Sequence, residues 1–197
     1  MGSGYLGEAF SFLIRTVFDL YILAVALRFL LQLVRADFYN PISQFLVKIT
    51  NPTLRPLRRI IPNYRNTDLS AITIMICLKI IELMLLALII GGRIPVFSGL
   101  LILSFAQILN LIIYIFIIAI FIHVILSWFS PGAYNPATVL LYRLTEPLLK
   151  PARQLLPPTG GLDLSPIFVF VFLQLLIILL VKPLIHLGLS LSGIPYL

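Results

Sequence analysis

Thr50-Asn-Pro-Thr-Leu-Arg-Pro-Leu-Arg-Arg-Ile-Ile-Pro62 returns later in the chain as Thr145-Glu-Pro-Leu-Leu-Lys-Pro-Ala-Arg-Gln-Leu-Leu-Pro157. Thr50 and Thr145 stand 95 positions apart. The same gapless offset lays Tyr39-Asn40-Pro41 on Tyr134-Asn135-Pro136 and Asp68-Leu69-Ser70 on Asp163-Leu164-Ser165. Three blocks in one register make the chain an internal duplication, so each half is expected to build the same supersecondary unit.

The medium in which those units fold follows from composition. Of 197 residues, 60% are hydrophobic and 11% charged, and mean hydropathy is +1.10, too apolar for a wet-surfaced domain. The apolar runs are continuous rather than alternating, and about twenty residues suffice to cross roughly 30 Å of hydrocarbon as a helix. The fold expected is an all-α membrane protein: four transmembrane helices as two tandem parallel-repeat hairpins, each with an amphipathic interfacial segment between its spans. The first repeat, 1–95, holds spans at about 10–34 and 69–90 around a segment at 41–62. The second, 96–197, holds spans at about 101–129 and 165–187 around a segment at 136–157. The first run lacks a basic leader and a small-residue cleavage site, and reads as a retained span rather than a signal peptide.

Within the segments, Ile42, Phe45, Leu46 and Ile49 fall at helical spacing on one face. Asn51-Pro52 is expected to break that helix, since proline has no amide hydrogen and pushes its predecessor out of the helical region. Beyond the break, Leu54, Leu57 and Ile61 share one side and Arg55, Arg58 and Arg59 the other, as in a helix lying among headgroups. Asp68 or Ser70 is placed to cap the second span, and Pro166 sits in the first turn of the fourth, where proline costs least. Basic residues concentrate in the two segment-bearing loops, while the connector between the second and third spans has only Arg93. The positive-inside rule puts those loops in the cytoplasm and both termini outside. Two spans per repeat give the copies one orientation.

Paired units of span, Asn-Pro-x-Leu-Arg/Lys-Pro-x-Arg segment, Asp-Leu-Ser and span resemble the YggT family of small bacterial membrane proteins over nearly the whole chain. The resemblance implies a multi-pass protein of the bacterial inner membrane with no established enzymatic activity, linked to tolerance of osmotic or salt stress. Related plastid proteins are linked to haem attachment on a b-type cytochrome and to nucleoid distribution. The second copy departs from the first in Glu146 for Asn51 and Gln154 for Arg59, which weakens its basic face.

Four sets of residues are candidates for function. Arg55, Arg58 and Arg59, with Lys150 and Arg153, can dock anionic headgroups or an acidic partner, or can simply set topology. Pro52, Pro56 and Pro62 recur as Pro147, Pro151 and Pro157, and charge alone would not require that, so they argue for a defined backbone shape. Asp19, Lys79 and Glu82 come to depths of roughly 23, 16 and 21 Å from the cytoplasmic edge at about 1.5 Å per residue. They can meet between the first two spans, either as an ion-pair lock or as a polar pathway. Arg28 and His123 are repeat-equivalent, each about 9 Å from that edge by the same count. Arg28 can snorkel towards the cytoplasmic edge and His123 can hydrogen-bond Ser127 or a tyrosine.

Other chemistry finds little in the chain. The two histidines, His123 and His186, are separated by roughly 20 Å along the membrane normal at about 1.5 Å per residue, too far to share one haem. No Cys-x-x-Cys, His-Glu-x-x-His, phosphate-loop or nucleophile-elbow pattern occurs. No cofactor, metal or catalytic residue is expected, and Cys77 reads as inert packing. The formal charge of +7 is explained by the membrane rather than by nucleic acid. The leading expectation is a non-enzymatic assembly, scaffold or osmotic-stress tolerance factor working through its basic cytoplasmic segments. Its partners would be membrane lipids, another membrane protein or a second copy of itself. The alternative is a small ion channel or transporter component built around Asp19, Lys79 and Glu82.

Overall fold

The computed structural model of the chain describes residues 2–61, 67–91, 94–129, 135–155 and 163–193. Among these it is helical: α1 (Gly2–Leu33), α2 (Pro41–Ile60), α3 (Leu69–Gly91), α4 (Phe97–Phe129), α5 (Pro136–Leu155), α6 (Ser165–Leu176) and α7 (Lys182–Ser192). A π-turn, Ile177–Val181, joins α6 to α7 in one continuous rod. Four rods, Gly4–Leu33, Leu69–Ile89, Phe97–Phe129 and Ser165–Ser192, are long and apolar enough to cross a membrane. They carry large apolar side chains outward as well as inward, the pattern of a helix whose outer solvent is lipid.

The helices recur at the repeat offset: α1, α2 and α3 correspond to α4, α5 and the α6–α7 rod. In the first half α1 packs along α3 with α2 against both, and in the second α4 packs along α7 with α5 against α4 and α6. The halves join where α3 meets α4 and where α1 and α2 touch α5. Leu54 and Leu149, at equivalent positions, are the plugs that seat the short helices, each wholly buried. Leu54 enters a core of Ile22, Val25, Ala26, Ala71 and Met75. Leu149 enters one of Ile120, Val169 and Leu173. At the α2/α5 end, Asn40 Nδ2 donates to Pro136 O at 2.6 Å, binding the starts of the two short helices. At the opposite end the Val96 amide donates to Ser192 O at 3.1 Å.

Sequence chemistry sets the ends of these helices. Asn40 Oδ1 accepts from the Ile42 amide at 2.9 Å, an N-cap followed by proline at the first helical position. In the second repeat Asn135 Oδ1 accepts from the Thr138 amide at 2.9 Å, while the Asn135 amide donates to Thr138 Oγ1 at 3.0 Å, a reciprocal capping box. Asp68 caps α3 through the Ala71 amide at 3.2 Å. α1 ends in a Schellman motif: Ala36 N–H bonds Leu31 O, Arg35 N–H bonds Gln32 O, and Arg35 takes φ 52°, a left-handed position held here by a residue other than glycine.

Several boundaries and one break differ from the sequence-based expectation. Asn51-Pro52 does not interrupt the first short helix. α2 runs unbroken through Pro52 and Pro56, and α5 through Pro147 and Pro151. The reason lies in their placement: all four prolines are exposed, and each pair is spaced four residues apart on one outer stripe. Carbonyls deprived of an amide partner there face out of the protein, where they can take other donors, so the missing bonds do not end the helix. α1 starts at Gly2 rather than near 10, α4 at Phe97 rather than 101, and the last rod reaches Ser192 rather than 187. That last rod passes Pro183 without ending, because the π-turn immediately before it widens the backbone where proline cannot donate. Cys77, expected in packing, is exposed on the outside of α3. Pro62, Pro157, Arg93 and Tyr134 lie outside the described residues.

Two glycines allow the closest helix approach. A Cβ on Gly99 would stand 2.1 Å from Ser192 N, and one on Gly188 would stand 2.8 Å from Leu103 N. Both lie where α4 crosses α7, and backbone contact at that range admits no side chain.

Candidate functional site

The short helices are fastened to the spans by matched polar contacts. Arg28, on α1 and 5% exposed, donates from Nη1 to Thr50 Oγ1 at 2.6 Å and Asn51 Oδ1 at 3.0 Å on α2. His123, its counterpart on α4, lies with Nδ1 2.7 Å from Thr145 Oγ1 on α5, the counterpart of Thr50. The His123 ring meets Tyr142 edge to face with centroids 4.4 Å apart. Arg28 therefore turns into the protein instead of reaching along the helix to the membrane edge. Its charge is met by neutral acceptors, which a buried cation needs in the absence of a carboxylate.

A second pair of fasteners sits at the far end of each short helix. Arg58 pairs with the carboxylate of Asp68, whose side chain is 1% exposed. Arg153 Nε donates to Asp163 Oδ2 at 2.9 Å, and Arg153 Nη1 to Glu146 Oε2 at 3.3 Å. Asp163 is held below its ordinary carboxyl range: burial raises it, but hydrogen bonds from Ser165 and Arg153 outweigh that. Arg58 and Arg153 thus face inward onto α3 and α6, whereas Arg55, Arg59 and Lys150 remain exposed. The five cations grouped together in the sequence divide into two fasteners and three outward-facing charges. The pairing was visible in principle, because Arg58 and Asp68 recur as Arg153 and Asp163 at the same ten-residue spacing. Periodicity alone puts Arg58 on the outer face with Arg55 and Arg59, and position alone offers Asp68 or Ser70 as a cap. Thr50 and Thr145, the acceptors of the other fasteners, are likewise identical in both copies.

Between α1 and α3 the structure brings Asp19, Lys79 and Glu82 together. Lys79 Nζ donates to Asp19 Oδ1 at 2.8 Å and to both Glu82 oxygens at 2.9 Å. Glu82 is buried, while the Asp19 side chain is 58% exposed. Asp19 and Lys79 face a cleft of about 640 Å³ that also takes in Thr16, Gln107, Asn110 and Tyr114. The second repeat has Tyr114, Gln174 and Ile177 at the positions of Asp19, Lys79 and Glu82, so this charge cluster belongs to the first copy alone. No group of three or more metal-ligating side chains occurs among the described residues.

Four membrane-competent helices in two units of matching element order, each with a short helix fastened to its spans, define a multi-pass membrane protein of duplicated architecture. The CCB3/YggT family model matches the chain twice, over residues 7–89 and 102–184, which is again an offset of 95. The chain belongs to the CCB3/YggT family. It is 44% identical over 191 residues to PA0392 of Pseudomonas aeruginosa, covering 96% of this chain and 95% of that one. To YggT of Escherichia coli K12 it is 36% identical over 168 residues, 84% of this chain and 86% of that one. A shorter match, 41% over 61 residues, links it to ycf19 of Guillardia theta, covering 30% of this chain and 67% of that one. No solved structure matches the chain.

Proposed function

We propose that the protein is a non-enzymatic scaffold of the bacterial inner membrane that supports tolerance of osmotic stress, with α2 and α5 as amphipathic interfacial helices on the cytoplasmic face. The observation that carries this reading is the division of labour among the basic residues. In both repeats an inward-facing arginine of the short helix pairs with the aspartate before the next span, and Arg55, Arg59 and Lys150 are left on its outer side. A helix held at three places, by Arg28, Leu54 and Arg58 in the first repeat, presents its outer charges in a fixed array. Each cation near an anionic leaflet is worth about 1 kcal/mol, and the same array suits an acidic partner protein. Orientation rests on the concentration of basic residues in the two loops that contain α2 and α5.

A second reading has its own observation in the cleft beside Asp19 and Lys79. Ionisable groups at membrane depth that face a cavity mark ion or proton pathways, and Gln107, Asn110 and Tyr114 give that cavity polar walls. On this reading the protein is a small channel or transporter component.

Growth of a deletion strain in high salt separates the two. One complementing variant carries Arg55→Gln, Arg59→Gln and Lys150→Gln, and the other carries Asp19→Asn and Glu82→Gln, at matched membrane levels and verified topology. Failure of the first alone supports the scaffold. Failure of the second alone removes it in favour of the ion pathway.

A further inference from the structure

The two repeats differ at one corner in a way that neither scaffolding nor an ion pathway uses. Between α1 and α2 lies a cleft of about 660 Å³ whose charged lining is Arg28, Lys48 and Arg58, with amide side chains of Gln32, Gln44 and Asn51 around them. Among these lining residues there is no carboxylate. Arg58 is matched by Asp68, but Arg28 and Lys48 have no anionic partner among the described residues. Arg28 is buried, and neither its Nε nor that of Arg58 has a hydrogen-bond partner. A buried guanidinium met only by neutral acceptors, beside a second cation and three amides, is an incomplete arrangement: it lacks the anion that would balance its charge.

The second repeat carries different groups at the equivalent positions. His123 replaces Arg28, Tyr142 replaces Val47 and packs against the imidazole, and Glu146 replaces Asn51 with its carboxylate on Arg153. There an aromatic ring stands against the imidazole and a carboxylate supplies negative charge. The first repeat has neither the ring nor the carboxylate and keeps the unbalanced positive charge.

We propose that the cleft between α1 and α2 binds one phosphoryl-bearing anion, and that the second repeat has lost this site. Arginine is suited to the task because its planar fork can give two parallel N–H donors to phosphoryl oxygens, and Lys48 adds a mobile charge at the mouth. The anion is either the phosphate of a lipid headgroup or a soluble phosphate. The site does not depend on Arg55, Arg59 or Lys150, so it stands or falls apart from the scaffold reading.

The test uses the purified full-length protein in nanodiscs of zwitterionic phosphatidylcholine. Thermal unfolding is followed against inorganic phosphate at constant ionic strength held with sodium chloride, and separately against the mole fraction of phosphatidylglycerol in the disc. The variants are Lys48→Gln, at an exposed position that folding does not need, and Asn51→Glu, which imports the carboxylate of the second repeat and still accepts from Arg28. Arg143→Gln, the counterpart of Lys48 in the second repeat, is the control. A saturable upward shift in wild type and in Arg143→Gln, with apparent affinity reduced about tenfold or more in Lys48→Gln and Asn51→Glu, supports the site. Response to inorganic phosphate identifies a soluble ligand, and response to phosphatidylglycerol alone identifies a lipid headgroup. No saturable shift with either probe, or a shift equal in Asn51→Glu, overturns it.

Discussion

Arg28 and His123 stand 95 positions apart and make one and the same contact: each hydrogen-bonds the threonine that begins the proline-framed motif, Thr50 at 2.6 Å and Thr145 at 2.7 Å. The duplication has kept the fastener while exchanging a permanent cation for an imidazole. Removing the hydroxyl should therefore have unequal effects in the two copies. Thr50→Val takes the shortest of its hydrogen bonds from a buried guanidinium, leaving Asn51 and Val47 O, and should cost about 1–3 kcal/mol. Thr145→Val leaves an imidazole that can be neutral and still packs on Tyr142, and should cost about 0.5–1.5 kcal/mol. Paired thermal melts in one detergent give the comparison, and equal losses would mean the two contacts are energetically alike.

The outer fasteners are unequal for a different reason, their exposure. Asp68 is 1% exposed and Asp163 45%. Asp68→Asn, which keeps the cap on Ala71 but removes a buried carboxylate from the partly exposed Arg58, should cost about 1–3 kcal/mol, against less than about 1 kcal/mol for Asp163→Asn. Because the folded-state pKa of Asp163 is depressed, its contribution is present above the ordinary value of 3.8 and is lost as pH falls through the lower folded value. Unfolding followed downward from pH 5 should show a small acid-dependent loss in wild type that is missing in Asp163→Asn.

The crossing of α4 and α7 leaves no room for a methyl group. Gly99→Ala and Gly188→Ala should each destabilise by about 1–3 kcal/mol through overpacking and lower the yield of folded protein. Gly4→Ala, where a Cβ meets nothing within 4 Å, is the matched control. Similar yields for all three would show that α4 and α7 separate freely.

For the intramembrane trio the sign of the effect depends on how many partners are removed. Lys79→Met alone leaves Glu82 buried without its cation and should cost about 3–5 kcal/mol. Replacing the set together, Asp19→Leu with Lys79→Met and Glu82→Met, should be near neutral or stabilising, as apolar substitution of whole buried ion clusters often is. If that triple variant folds and still restores growth in high salt, the ion-pathway reading is excluded.

The duplication, the number of spans and the meeting of Asp19 with Lys79 and Glu82 could be read from spacing, because helical rise fixes depth and the repeat fixes register. Rotation about a helix axis could not be. Arg28 and Arg58 look like outward cations in a one-dimensional pattern, and only the neighbouring Thr50, Asn51 and Asp68 turn them inward. Proline was misread at Asn51-Pro52 for a related reason. Its cost depends on whether the deprived carbonyl faces protein or solvent, and that is decided by packing rather than by sequence. Nor is the start of α1 marked in the sequence: Gly2, Ser3 and Gly4 favour a helix poorly, and the long apolar run beyond them carries it through.

The exposed prolines of α2 also govern how deep that helix can ride. Pro52 and Pro56 have no amide hydrogen to offer the carbonyls of Lys48 and Pro52, so those oxygens need donors from outside the helix. In hydrocarbon each unsatisfied carbonyl would cost several kcal/mol. On the interfacial placement proposed for α2, the stripe would work as a waterline: the outer side of α2 would float at the level where water and headgroups can reach it, and any force that pushed the helix into the bilayer would have to strip those oxygens bare.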